Sequence, residues 1–245
     1  MMETGLRQER RDGVLWLTLD RPRAANALNG ELQRALIAAL AQAATDAATR
    51  AVVLASTSAR IFSAGADLKE DWHADPATAR RMRADMLLET LFAFAGFPKP
   101  LIAAVTGKAI GAGVMLAFLA DEIICAPDAE FSLPEIHHDM PTPLGATIIA
   151  ARAPHAMVHK LVQVGEVMDA VAVLRASLIA EILPADLLQQ GAQARAARLG
   201  ALPARAYAGN KVWINATLRN ALRAAAAHGA DLRTAPFAGG GDSAA

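Results

Sequence analysis

Two short, wholly apolar segments constrain the fold of this chain more than any other feature. Residues 51–55 read Ala-Val-Val-Leu-Ala and residues 101–105 read Leu-Ile-Ala-Ala-Val, with no polar side chain in either. A strand with one solvated face alternates apolar and polar residues, whereas a strand covered on both faces does not. The two segments therefore predict buried strands of a sheet that has helices on both sides.

Strands alternate with helices over the first half of the chain, and helices dominate the second half. Further strands are predicted at residues 14–19, 61–62, 122–126 and 129–132, and helices at 30–44, 80–94 and 114–120. From Ala146 the chain is predicted to be nearly all helical, with breaks at Pro154, Pro184 and Pro203. This order predicts an α/β core over residues 1–184 and a helical C-terminal region over 185–245, ending in a frayed, glycine-rich tail.

Charge and cysteine content exclude several classes of protein. Lys+Arg and Asp+Glu both total 24, so there is no electrostatic case for binding nucleic acid or an anionic membrane surface. The one cysteine, Cys125, lies in an apolar run and is predicted to be a buried thiol, without a disulfide framework or a metal site. No apolar stretch is long enough to span a bilayer and the N-terminus lacks a signal-peptide core, so a cytoplasmic location is expected.

Small residues follow two of the predicted strands, in Ala64-Gly65-Ala66-Asp67 and in the segment from Gly107 to Gly113. Glycine leaves no side chain between the backbone N–H groups and a ligand. The second segment runs into a helix, so the N–H of Ala112 lies at a helix N-terminus. One backbone donor aimed at a developing oxyanion is worth about 3 kcal/mol. Tight packing of a strand on a helix explains the same residues, and both interpretations stay open.

The same glycines also suggest a dinucleotide site, but Leu116 occupies the third glycine position of that motif and the remaining signal is weak. Glu135 is a stronger candidate for chemistry, because it lies in the apolar stretch Phe131-Ser-Leu-Pro-Glu-Ile. A carboxyl group in such surroundings has a raised pKa and can transfer protons. The alternative is a surface or helix-capping glutamate. His137 and His138 are candidates for a second acid or base, or are structural histidines.

Together these segments resemble the crotonase, or enoyl-CoA hydratase/isomerase, superfamily. The resemblance extends from Gly13 to about Pro184 and rests on several motifs in the right order: Asp20-Arg-Pro-Arg-Ala-Ala-Asn-Ala-Leu, Phe62-Ser-Ala-Gly-Ala-Asp-Leu-Lys-Glu, the 107–113 turn, Ala120-Asp-Glu-Ile, Phe131-Ser-Leu-Pro-Glu, and Gly165-Glu166. It implies a spiral of ββα units with a helical C-terminal region that forms a homotrimer or a dimer of trimers. The implied substrate is an acyl-CoA thioester, with coenzyme A as part of the substrate and no separate cofactor.

The resemblance also assigns roles to individual residues. The oxyanion-binding N–H groups are implied to be those of Ala66 and Ala112. The loop that contains Ala64, Ala66, Asp67, Leu68 and Lys69 is implied to line the path of adenine and pantetheine.

Arg23 matches a basic residue near the CoA phosphates, a partner that suits a guanidinium. Solvated surface charges are the alternative for Arg23 and Lys69. For Asp67 the alternative is a role in fixing the turn.

One departure from the family pattern bears on the reaction. Hydratases of this family use two glutamates; Glu135 matches the second, and Met115 stands in the place of the first while still lining the acyl site. A single carboxylate beside a stabilised enolate suits double-bond isomerisation by 1,3-proton transfer. Hydration, a binding protein without catalysis and an RNA-binding relative are the alternatives. Asp139 stands where the family has glycine, so a differently shaped loop is expected after Glu135.

Overall fold

The structure is a computed structural model that describes residues 4–234, with the backbone alone for the last two of these. Its strands are β1 (Leu6–Arg11), β2 (Val14–Leu19), β3 (Ala51–Ser56), β4 (Ile61–Ser63), β5 (Leu101–Val105), β6 (Lys108–Ile110), β7 (Glu122–Cys125), β8 (Glu130–Ser132), β9 (Met168–Asp169) and β10 (Glu181–Ile182). Its α-helices are α1 (Gly30–Thr45), α2 (Pro76–Gly96), α3 (Ala112–Phe118), α4 (Pro143–Ala150), α5 (His155–Val158), α6 (Ala170–Arg175), α7 (Leu188–Gly200) and α8 (Ala204–Thr234). A π-helical turn, His159–Val164, follows α5.

The strands form two sheets, ordered β1-β2-β3-β5-β7-β10 and β4-β6-β8-β9. All pairs are parallel except β1 with β2 and β8 with β9. The units β3-β4-α2, β5-β6-α3 and β7-β8-α4 each place one strand in each sheet and then add a helix. This repeated crossing between two sheets is the predicted ββα spiral, and the fold class is confirmed.

Helices cover both faces of the six-stranded sheet, as the apolar strands predict. Along β3, Val52 and Leu54 belong to the larger core cluster, together with side chains of α1, α2 and α3. Val53, between them, belongs to a second cluster that includes Ile102 of β5 and Leu188 of α7. Successive side chains of a strand point to opposite faces, so both faces of β3 are buried in apolar contacts.

The C-terminal helices pack directly onto this core. Helix α7 lies across β2, β3 and β5, and α8 contacts α2 and α4. The predicted breaks at Pro154, Pro184 and Pro203 are confirmed, because α5, α7 and α8 begin after them. The proposed division between residues 184 and 185 stays a prediction. The predicted glycine-rich tail lies outside the described residues, and none of the described helices is long and apolar enough to cross a membrane.

Several predicted elements were wrong in extent. The chain after Ala146 is nearly all helical, as predicted, but the two-residue strands β9 and β10 between its helices were not predicted. Helix α2 begins four residues earlier than predicted, where the Asp75 side chain accepts a hydrogen bond from the N–H of Thr78. Strand β1 was not predicted, since it is mostly polar. Its hairpin turn is Asp12-Gly13, both with positive φ, a pair that favours such turns.

Candidate active site

The three predicted segments of the site follow three neighbouring strands. Strands β4, β6 and β8 are parallel neighbours in the second sheet, and their carboxyl ends therefore lie at one edge. The chain leaving β4 carries Ala66, the chain leaving β6 begins α3 at Ala112, and the chain leaving β8 carries Glu135. Residues separated by up to 69 positions in sequence are thus collected at the same edge of the sheet.

Gly65 brings the first two segments into contact. Its φ is +86°, and a Cβ at this position would lie 2.7 Å from the Ile110 carbonyl oxygen and 3.1 Å from the Ala112 nitrogen. Any side chain would therefore push the two backbones apart. Glycine is required here both by its conformation and by the close approach of the neighbouring chain.

The backbone around Ala66 directs its N–H away from the neighbouring segment at Leu28. The N–H of Leu28 donates to the Gly65 carbonyl at 2.7 Å, and the N–H of Asp67 donates to the Leu28 carbonyl at 3.2 Å. These two bonds form a parallel bridge between Leu28 and Ala66. In such a bridge the central residue does not use its own N–H, so the amide of Ala66 faces the opposite side.

The amide of Ala112 has no acceptor within its own helix. Ala112 is the first residue of α3, and the first N–H groups of a helix have no acceptor within it. The preceding Gly111 has φ 54° and ψ −122°, a conformation essentially confined to glycine. The structure therefore brings the two predicted oxyanion donors to facing loops, with Gly65 packed between them.

Asn26 holds the first segment in place, a role that sequence reasoning missed. Its Oδ1 accepts from the Arg21 N–H at 2.7 Å, and its Nδ2 donates to Ser56 Oγ at 2.8 Å and to the Phe62 carbonyl at 3.1 Å. The Ser63 hydroxyl donates to the Asn26 carbonyl. Asn26 is fully buried with φ 52°, a conformation that asparagine tolerates better than most residues. It therefore fixes the end of β4, from which the Ala66 loop leaves.

Asp67 fixes the turn itself. One carboxylate oxygen forms a salt bridge with Arg21 at 3.0 Å, and the other accepts from the Lys69 N–H at 3.1 Å. This geometry agrees with the turn-fixing alternative for Asp67. Leu68 is 62 % exposed, and the side chains of Lys69 and Arg23 are also exposed, while Ala64 is half-buried.

Glu135 lies in a 3₁₀ turn, Pro134–His138, directly after β8. A Cβ on Gly111 would be 3.0 Å from Glu135 Oε1, so the carboxyl group lies over the residue that precedes Ala112. Its Oε2 is buried and has no hydrogen-bond partner among the described residues. Burial raises the pKa of Glu135, and the charge of His138 opposes this rise only in part. The burial disagrees with a surface or helix-capping role.

The two histidines after Glu135 have different surroundings. The ring of His137 packs against Gly165, where a Cβ would lie 2.5 Å from its Nε2. His138 is exposed and acts on the Glu135 carboxylate through its charge. Asp139 has φ 54° and ψ 36°, the left-handed conformation that glycine favours and that aspartate also adopts. The turn after Glu135 therefore keeps a glycine-like backbone.

Met115 lies on α3, and its side chain packs against Gly145 of α4. It is 3 % exposed, and its methyl group would be 3.0 Å from a Cβ on Gly145 of α4. A Leu133 methyl group approaches the same point to 3.4 Å. The absence of a side chain at Gly145 makes room for the thioether of Met115.

Neither metal nor thiol chemistry has support in the described residues. Between residues 4 and 234, no three His, Cys, Asp or Glu side chains are arranged to hold a metal ion. Cys125 is buried, as predicted, and burial raises the pKa of its thiol to about 12.

Comparisons with known proteins indicate one family. A family model described as enoyl-CoA hydratase/isomerase matches residues 9–240. The 2,3-dehydroadipyl-CoA hydratase of Escherichia coli is 40% identical over 179 residues, which are 73% of this chain and 69% of the relative.

Two solved structures superpose closely on the fold. An enoyl-CoA isomerase of Mycobacterium tuberculosis has a TM-score of 0.85 at 25% identity, covering 94% of this chain and 99% of its own. A probable enoyl-CoA hydratase of Mycobacterium thermoresistibile has a TM-score of 0.82 at 30% identity, covering 94% and 95%. The chain is therefore an enzyme of the enoyl-CoA hydratase/isomerase family, within the crotonase superfamily.

Proposed function

We propose that this enzyme isomerises the double bond of a 3-enoyl-CoA to the 2-position. The observation that carries the proposal is the pairing of one buried carboxyl group, Glu135, with an apolar Met115 at the place of the second acid. Proton transfer between two carbons needs a single group that accepts and returns a proton. Addition of water needs a second group to position the nucleophile, and Met115 can neither donate nor accept a proton.

The N–H groups of Ala66 and Ala112 bind the thioester oxygen in this proposal. Removal of a proton from C2 of the substrate places negative charge on that oxygen, where two fixed donors stabilise it without reorganisation. The close approach of Gly65 to the Ala112 nitrogen supports this role, since Ala66 directly follows Gly65. Ala64, Leu68 and Lys69 would line the CoA path, with Asp67 holding its turn and Arg23 near the phosphates.

The proton balance of the reaction is simple. Glu135 takes a proton from C2, the electron pair delocalises over the thioester and the C3–C4 double bond, and Glu135 returns the proton to C4. No cofactor is consumed, and coenzyme A remains attached to the acyl group throughout. A carboxyl group with a raised pKa suits both proton transfers. As a carboxylate it is a stronger base than an ordinary glutamate, and once protonated it can return the proton to C4.

Hydration of a 2-enoyl-CoA is the second candidate, favoured by the hydratase names of two of the three relatives described above. In that reaction Glu135 would activate water alone. The exposed His138, three residues further along the same 3₁₀ turn, is a candidate for a second proton donor.

A substrate comparison tests the two candidates. The purified enzyme should convert 3-hexenoyl-CoA to 2-hexenoyl-CoA faster than it hydrates 2-hexenoyl-CoA, with products separated by chromatography. Met115→Glu should raise hydration and Met115→Gln, which has the same size without an acid, should not. Faster hydration than isomerisation by the wild-type enzyme would contradict the proposal. Turnover of neither thioester, with CoA esters still bound, would indicate a binding protein.

We also propose a homotrimer or a dimer of trimers. Support comes from α8, on which Trp213 is 82 % and Ile214 72 % exposed in the single chain. Large apolar side chains exposed side by side are typical of surfaces that contact another protein.

A further inference from the structure

A cluster of unsatisfied hydrogen-bond donors lies directly after the predicted CoA loop. The chain continues from Lys69 to Glu70 and Trp72, which pack against the start of α1. Both oxygens of the Glu70 carboxylate accept from the N–H of Gly30, at 2.8 and 3.1 Å. The end of the Trp72 ring would be 2.8 Å from a Cβ on Gly30, so Trp72 is held against the same point.

Two donors in this cluster are buried without an acceptor. Among the described residues, Trp72 Nε1 and Arg83 Nε have no hydrogen-bond partner. The contact of Arg83 with the Glu70 carbonyl oxygen, from Nη2, is long at 3.4 Å. Trp72 approaches Gly30 and Arg83 approaches Glu70, which itself binds Gly30, so both donors belong to residues around one contact. A buried donor without an acceptor is costly, so the two together point to a missing acceptor.

Two arginines of the cluster lack a carboxylate partner among the described residues. Arg34 Nη1 lies 3.1 Å from the same Cβ position on Gly30. In the part of the chain that the structure describes, neither Arg34 nor Arg83 forms a salt bridge. Among the carboxylates that the structure describes, only Glu70 contacts this cluster by hydrogen bonds, and it is already bound to Gly30. The missing acceptor is therefore expected to carry negative charge.

The cluster is close to the proposed thioester site. Gly30 lies two residues after Leu28, which forms the bridge with Ala66, and two extended residues span about 7 Å. A ligand whose thioester oxygen contacts Ala66 can therefore place another part of itself near Arg83.

We propose that Arg83 and Trp72 bind an anionic group of the thioester substrate, either a carboxylate at the far end of the acyl chain or a phosphate of coenzyme A. The inference rests on the proposed acyl-CoA site. Guanidinium and indole N–H groups are both donors only, which suits a carboxylate or phosphate and rejects a second cation.

Binding measurements with four probes test this inference. Calorimetry would measure the dissociation constants of adipoyl-CoA, hexanoyl-CoA, hexanoyl-dephospho-CoA and hexanoyl-pantetheine. The proteins compared are the wild type, Arg83→Met, Trp72→Phe and the control Arg80→Met, which changes an exposed residue on the same helix. Arg83→Met removes a charged hydrogen bond and should therefore weaken the affinity for the probes that carry the recognised anion by about 10-fold to 100-fold. Trp72→Phe keeps the ring and should weaken the same probe less. Arg80→Met should change none.

The pattern of losses identifies the anion. A loss confined to adipoyl-CoA places the acyl carboxylate at Arg83. A loss of affinity for both hexanoyl-CoA and adipoyl-CoA, but not for hexanoyl-pantetheine, places a CoA phosphate at Arg83. If affinity for hexanoyl-dephospho-CoA is also lost, the phosphate is one of the pyrophosphate; if not, it is the 3′-phosphate. An equal loss for all four probes, or no loss, would overturn the inference. If wild type binds none of the probes, the proposed function itself fails, which is a separate outcome.

Discussion

Replacing Glu135 with glutamine is expected to lower kcat for isomerisation of 3-hexenoyl-CoA by a factor of about 10² to 10⁴, the usual contribution of a general acid–base group. Glutamine fills the same space and keeps a hydrogen-bonding side chain beside Gly111, but it cannot accept the C2 proton. Affinity for hexanoyl-CoA should stay largely unchanged, because the oxyanion donors are backbone groups. Steady-state kinetics and calorimetry give the two quantities.

The pH dependence adds a second signature to this prediction. Burial raises the pKa of Glu135, so the base form appears at higher pH than for an ordinary glutamate. In the wild type kcat/KM should rise with pH through this raised pKa and then level off, and Glu135→Gln should lack the rise. Glu130→Gln is a matched control, since Glu130 lies on β8 and pairs with Lys108 at 3.0 Å. Wild-type activity in Glu135→Gln would rule out Glu135 as the proton carrier.

Replacing Gly65 with alanine is expected to lower kcat/KM by about 10² to 10³, the effect of losing one oxyanion donor. The added Cβ would meet the Ile110 carbonyl oxygen at 2.7 Å and the Ala112 nitrogen at 3.1 Å, so the loops must separate. The positive φ of Gly65 adds strain of about 1–3 kcal/mol, which urea denaturation would measure as a lower free energy of unfolding.

Gly209→Ala is the control for this substitution. Gly209 lies within α8, and a Cβ there would meet no atom within 4 Å. Activity should be unchanged in this variant, and helix propensity favours alanine by about 1 kcal/mol. Equal activity of Gly65→Ala and wild type, with both variants folded, would show that contact between the two loops does not position the oxyanion donors.

Those parts of the fold that depend on local pattern could be predicted from the sequence. The apolar segments at residues 51–55 and 101–105 are β3 and β5, covered on both faces. Asn29 caps α1, with its side chain accepting from the Leu32 N–H, and asparagine is among the residues that most often begin helices. The apolar neighbours of Glu135 indicated a raised pKa, although they left a surface position open. In each case the residues that determine the outcome lie within one short window of sequence.

Features that depend on distant partners could not be predicted in the same way. Strand β1 has the sequence Leu-Arg-Gln-Glu-Arg-Arg and is defined by its pairing with β2, since its own pattern is mostly polar. Strands β9 and β10 contain two residues each, too few to show any alternation. Asn26 bonds to groups 30 and 36 residues away. The unsatisfied donors of Trp72 and Arg83 become visible only when the surrounding atoms are placed.

The transfer of an isotope within one substrate molecule tests the central claim most directly. The account assigns removal of the C2 proton and its return to C4 to one buried carboxyl group, Glu135. The wild-type enzyme would convert 3-hexenoyl-CoA carrying two deuterium atoms at C2 in ordinary water, and the product would be analysed by NMR. We expect deuterium at C4 of the 2-hexenoyl-CoA product, at a level above the natural abundance that the water supplies. Isomerised product with no deuterium at C4 would contradict the claim that a single buried carboxyl group carries the proton.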